Sequence, residues 1–161
     1  MTTIETVTYD SDTGVPQAFQ IAAPQPSRLT NQEVGALGEE IAARYLRTRN
    51  YRLLARNWRD PGAIRGELDL ICQWRQYLVV VEVKTRRSAS HGHPSLAVDP
   101  KKLLHMRRLT GAYLRGLDRH PGAIRFDVIA ILLGPFQELS CPATGVLAIA
   151  VSEFDHFEQV A

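Results

Sequence analysis

The chain has little cysteine: Cys72 and Cys141 are the only two in 161 residues. No second pair is present to complete a zinc site, so both read as free thiols in a reducing compartment. Long apolar runs are missing too. None approaches the ~20 residues needed to cross a bilayer, and the N-terminus has no basic region leading into an apolar one. A cytoplasmic protein is the expectation. Internal repeats are absent, which excludes a repeat array. Basic residues are scarce at both ends. Residues 1–29 contain Arg28 alone, and residues 134–161 contain no Lys or Arg against four acids.

The basic charge is therefore concentrated in residues 30–133, where 18 basic residues face 10 acidic ones. A positive field of that kind suits a polyanionic partner, and a solvated basic surface is the alternative. The overall composition, 45% apolar and 22% charged, is globular, and the length suits one core of ordinary size.

Residues 1–29 show no helical or strand period and contain Pro16, Pro24 and Pro26. They read as a disordered leader with no fold of its own. Order is expected from Thr30, which stands at capping-box spacing from Glu33 at the head of a helix reaching about Arg49. Val34, Leu37, Gly38, Ile41, Ala42 and Tyr45 share one face of that helix. Glu39 lies at its border, in a row with Gly35, Ala42 and Leu46, where a glutamate reaching water is the plain interpretation. Strands are expected over 51–58, 65–73, 77–86, 124–133 and 146–151, with a turn at Asp60-Pro61-Gly62. Asp99-Pro100 marks a second helix to about Gly116. It buries Leu103, Leu104, Met106, Leu109, Ala112 and Tyr113 in varying degree. Lys101, Lys102, His105, Arg107, Arg108 and Arg115 lie on its other side. Lys101 and Lys102 oppose the helix dipole unless an anion is near, whereas a solvated face is the commoner explanation. His91 and His93 fall in an intervening loop without a third metal ligand. The predicted fold is a single α/β domain over 30–152, a mixed sheet flanked by helices, with a peripheral acidic tail at 153–161.

The chemistry concentrates in Arg65-Gly-Glu-Leu-Asp-Leu-Ile-Cys72 and Tyr77-Leu-Val-Val-Val-Glu-Val-Lys-Thr-Arg-Arg87. The valine-rich run reads as a strand buried on both faces, where an unpaired charge is costly. Alternation puts Glu82 and Lys84 on one face, about 7 Å apart along the strand. If a two-residue loop at Arg75-Gln76 joins the strands, Asp69 lies directly across from Glu82, and a three-residue loop would spoil that register. Two opposed carboxylates repel unless a cation lies between them, and a hard divalent ion prefers such oxygens.

With these residues in view, the chain resembles the YraN family of predicted bacterial endonucleases. That family is similar to archaeal Holliday-junction resolvases and to the wider PD-(D/E)xK, restriction-endonuclease-like superfamily. The resemblance spans about 32–133. It rests on Gly35, Gly38-Glu39, Ala42, Tyr45-Leu46, Asn57, Gly66-Glu-Leu-Asp-Leu-Ile71, Val81-Glu-Val-Lys-Thr-Arg86, Lys101 and Arg125-Phe-Asp127. It implies a restriction-endonuclease-like fold and a metal-dependent endonuclease acting on DNA, including branched or structured DNA. Asp69, Glu82 and Glu39 would hold Mg²⁺ or Mn²⁺ with Lys84 beside them, and Glu67 would support the site from one pair further along. Arg86, Arg87, Lys101, Lys102 and Arg108 are the expected backbone contacts. The resolvases act as dimers, which makes a homodimer an open expectation. The alternatives are a nucleic-acid-binding module that keeps the nuclease fold without turnover, and a scaffold with a structural ion-pair network.

Overall fold

Every residue of Thr3–Tyr9 except Glu5 is β-branched or aromatic, a composition that favours strand over coil. In the computed structural model, which describes residues 2–22, 29–87, 99–138 and 146–160, this segment is strand β1. It pairs antiparallel with β2 (Pro16–Ala22) across a turn in which Asp10 Oδ1 accepts from the backbone N–H groups of Asp12 and Thr13. The expectation of an unstructured leader is therefore corrected for residues 3–22. Ile4, Phe19 and Ile21 are buried in the main core, and burial of those few side chains outweighs the polar residues between them.

The remaining elements are α1 (Asn31–Thr48), β3 (Arg52–Trp58), β4 (Leu68–Trp74), β5 (Tyr77–Arg86), α2 (Pro100–Arg115), β6 (Ala123–Glu138) and β7 (Val146–Phe157). One seven-stranded sheet runs β1-β2-β7-β6-β5-β4-β3. All neighbours are antiparallel except β5 and β6, which run parallel. A parallel pair needs a long crossover, and α2 lies in that connection. The mixed α/β fold expected from the sequence is present. The acidic tail is not peripheral: β7 extends through Phe157 and pairs with β6.

Both helices start as their sequences specify. Thr30 Oγ1 accepts from the N–H of Glu33 at 3.2 Å while Glu33 Oε2 accepts from the N–H of Thr30 at 2.7 Å. Asp99 Oδ1 accepts from the N–H of Lys101 at 3.0 Å, with Pro100 in the first turn. Leu104, expected in the core to some degree, is half exposed at 51%; the buried stripe of α2 runs instead through Met106, Leu109 and Ala112.

Strand alternation assigns each helix its face. Val79 and Val81 of β5 pack in the core that contains Val34, Leu37, Ile41 and Leu46 of α1. Leu78 and Val80 pack with Met106 and Leu109 of α2. The sheet is thus covered by α1 on one side and α2 on the other, and the even-numbered residues of β5 point toward α2.

Candidate functional site

The β4–β5 loop is the two-residue turn Arg75-Gln76, with Arg75 at φ 54°. Positive φ at the first central residue is the geometry that matches the twist of a tight hairpin. The register follows: Trp74 pairs with Tyr77 and Leu70 with Val81. Continued by one pair, that register sets Asp69 across from Glu82. Ile71, two residues from Asp69, belongs to the α2-side cluster, so Asp69 and Glu82 face α2 together with Lys84.

At this point the two strands stop exchanging backbone hydrogen bonds in register. Asp69 Oδ2 accepts from the N–H of Val83 at 2.8 Å, taking a donor that a strand neighbour would otherwise satisfy. Asp69 is mostly enclosed, and burial followed by the neighbouring Glu82 charge pushes its carboxyl up to about 7; Glu39 adds to the effect, while the Val83 N–H and Lys102 act against it. Glu82 is itself only 12% exposed, and its Oε1 lies 3.0 Å from Lys102 Nζ on the first turn of α2. A pair of carboxylates, one of them driven toward its neutral form, is an oxygen donor set that a hard divalent ion suits. The residues fit Mg²⁺ or Mn²⁺ in that sense.

The other expected site residues take different positions. Glu39 comes from α1, beside Gly38, which packs so closely on β5 that a Cβ there would lie 1.7 Å from Thr85 Oγ1. Its Oε2 accepts from Asn57 Nδ2 at 2.9 Å. It is near enough to influence Asp69, yet among the described residues no three His, Cys, Asp or Glu side chains cluster closely enough to hold a metal ion together. Glu67 stands just before β4 and accepts from Arg59 Nε at 3.0 Å and Nη2 at 2.8 Å. Lys101 and Arg108 are exposed on α2, Arg87 is exposed at the end of β5, and Arg86 is half-buried beside it. Cys72 is a buried free thiol whose pKa burial raises to about 12. Cys141, His91 and His93 lie outside the described residues.

The profile of the family described as "Uncharacterised protein family UPF0102" matches residues 38–131. The chain belongs to the UPF0102 family. A UPF0102 protein of Syntrophomonas wolfei is 44% identical over 103 residues, covering 64% of this chain and 87% of the relative. One of Chlorobaculum parvum is 45% identical over 109 residues, covering 68% and 82%. Another, of Symbiobacterium thermophilum, is 42% identical over 111 residues, covering 69% and 92%. The UPF0102 span contains Asp69, Glu82, Lys84 and Lys102, and it starts at Gly38, the glycine on which the α1–β5 contact depends. Strands β1, β2 and β7 lie outside it.

Three features of the site have no sequence reading. Lys102 meets Glu82, Asn57 holds Glu39, and His105 Nε2 lies 2.5 Å from where a Cβ of Gly66 would stand. Gly66 also has φ +104°, so side-chain crowding and backbone geometry both call for glycine at the entrance to β4. Asn57 belongs to the residues that carry the family resemblance, but nothing in the sequence pairs it with Glu39. The other two contacts join residues twenty or more positions apart.

Proposed function

We propose that this UPF0102 protein is a metal-dependent endonuclease that hydrolyses phosphodiester bonds in DNA, including branched or structured DNA. The observation carrying this reading is the enclosed Asp69 carboxyl on which the Glu82 charge acts, one residue beyond the Leu70–Val81 pair, with Lys84 two residues further along the Glu82 face. A UPF0102 family name says nothing of activity; the reading draws on that geometry and on the resemblance of the Gly-Glu-Leu-Asp and Glu-Val-Lys motifs to YraN nucleases.

Asp69 and Glu82 would hold Mg²⁺ or Mn²⁺, which uses one or two carboxylates and leaves positions for water and phosphate oxygens. The chemistry such an ion would supply there is a more acidic bound water and an offset to charge developing on the phosphate. Lys84, on the same face, would orient the attacking water or stabilise the oxyanion. Val83 N–H fixes the Asp69 carboxylate so that its second oxygen stays available. Glu39, held by Asn57, acts at longer range through its charge. The surrounding basic residues Arg86, Arg87, Lys101 and Arg108 would bind the backbone without reading bases, so affinity should fall with salt. A cytosolic setting and duplex or branched DNA as partner belong to the same reading.

Purified protein supplied with Mg²⁺ or Mn²⁺ should nick or cut a panel of duplex, flapped and four-way DNA substrates. Glu82→Gln and Lys84→Ala should each remove that activity while leaving the circular-dichroism spectrum intact. Cleavage that survives both changes would assign the activity elsewhere. Salt-sensitive DNA binding without cleavage in any metal would leave only a binding module.

A further inference from the structure

The first turn of α2 contains Lys101 and Lys102 and no acidic residue. Positive charge at a helix N-terminus opposes the dipole, and an anion nearby relieves that conflict. The structure supplies the anion from within the chain. Lys102 reaches Glu82 Oε1 at 3.0 Å, whereas Lys101, one residue earlier, is exposed. The ammonium thus sits on the same carboxylate that the metal-binding reading assigns to the ion.

Lys102 is 38% exposed, so water competes for its ammonium although Glu82 itself is largely enclosed. Its long, flexible stem allows the ammonium to move without disturbing the helix. A divalent ion brings twice the charge to the same oxygen.

We propose that Lys102 is a built-in counter-ion for the candidate site: it occupies Glu82 in the metal-free protein and is released when a divalent cation binds. Released, the ammonium lies on the α2 side of the sheet, where it can contact a phosphate. Metal and DNA would each favour the same Lys102-out arrangement, so each should strengthen binding of the other. Lys102 has this part only if the Asp69–Glu82 pair binds metal, as proposed above.

The test is Mn²⁺ binding by calorimetry, without DNA, on the wild-type chain and on Lys102→Met and Lys102→Arg, each checked for native circular dichroism. Removing a competing positive charge should tighten Mn²⁺ binding in Lys102→Met by about three- to tenfold. Lys102→Arg, which keeps the charge, should stay within about twofold of wild type. A second readout follows the lysine itself. Acylation of Lys102 by an amine-reactive reagent, read by mass spectrometry in the wild type, should accelerate several-fold on adding Mn²⁺, with Lys101 unchanged. Wild-type binding with Lys102→Met equal or weaker, or Lys102 labelling unmoved by Mn²⁺, overturns the counter-ion role alone. No Mn²⁺ binding by either wild type or Lys102→Met removes the metal site itself, and the counter-ion role with it.

Discussion

Asp69 keeps a carboxyl inside a sheet, against a second carboxylate, with one backbone N–H as its fixed donor. Its pKa, pushed up to about 7, stands well above the value near 3.9 of an unfolded chain. The folded state therefore binds this proton more tightly than the unfolded state does. That contribution to stability is complete below about pH 4 and is lost as pH rises toward 7. Asp69→Asn removes the titration while keeping an oxygen to accept from Val83. Urea unfolding should show the variant more stable than wild type at pH 8, by up to about 4 kcal/mol, with the difference shrinking at pH 5. A large loss of stability at pH 8 would instead favour a structural ion-pair role for Asp69. If the site binds metal as proposed, the ion selects the ionised carboxylate, so Mn²⁺ affinity measured by calorimetry should rise from pH 6 and level off above about 8.

At the scale of elements, the site depends on how α1 and α2 sit on opposite faces of β5. The α1 contact is set by Gly38, where the Thr85 side chain fills the space a Cβ would need. Gly38→Ala forces the helix or Thr85 to shift, and overpacking of this kind costs about 1–3 kcal/mol. The loss should appear as a lower urea midpoint. Because Glu39 follows Gly38 directly, the same variant should weaken the proposed Mn²⁺-dependent cleavage beyond what its stability loss explains. The helices, their caps and the β4–β5 hairpin were legible in the sequence because they depend on neighbours: Thr30 with Glu33, Asp99 with Pro100, and alternation along Tyr77–Arg86. The N-terminal hairpin was not. Ile4, Phe19 and Ile21 are too few and too widely spaced to show a period, and they become core only because β7 offers an edge for β2 to pair with.

Across the whole molecule, a buried polar network joins the C-terminal end to the sheet on the α1 side. Asp127, fully buried, accepts from Arg125 Nε at 2.9 Å and Nη2 at 2.7 Å and from the N–H of Gln159 at 3.0 Å; His156 Nε2 lies 2.9 Å from its other edge. Arg125 also donates to Tyr51, whose hydroxyl donates to Glu158 at 3.1 Å, and its guanidinium lies over the Trp74 ring. Burial by itself would raise the Asp127 pKa, but the hydrogen bonds from His156, Arg125 and Gln159 and the Arg125 charge lower it. Its stabilising effect is thus present above about pH 4 and lost as pH falls through the depressed value. Asp127→Asn leaves Arg125 buried with only the half-exposed Glu158 carboxylate, 3.6 Å away, as counter-charge, and should cost about 3 kcal/mol at pH 7 in urea unfolding. No helix among the described residues is long and apolar enough to cross a membrane.

Local sequence by itself determined the two helices, their starts and the face shared by Glu82 and Lys84, because each follows from spacing between residues close in the chain; the hairpin register that brings Asp69 to that face needed the two-residue turn seen in the structure. Tertiary structure alone decided that Lys102 neutralises Glu82, that Asn57 holds Glu39, that Arg125 and Asp127 anchor the C-terminal residues, and that the first strands complete the sheet. Those pairings join segments far apart in sequence, and no periodicity encodes which distant charge a folded chain will place beside another.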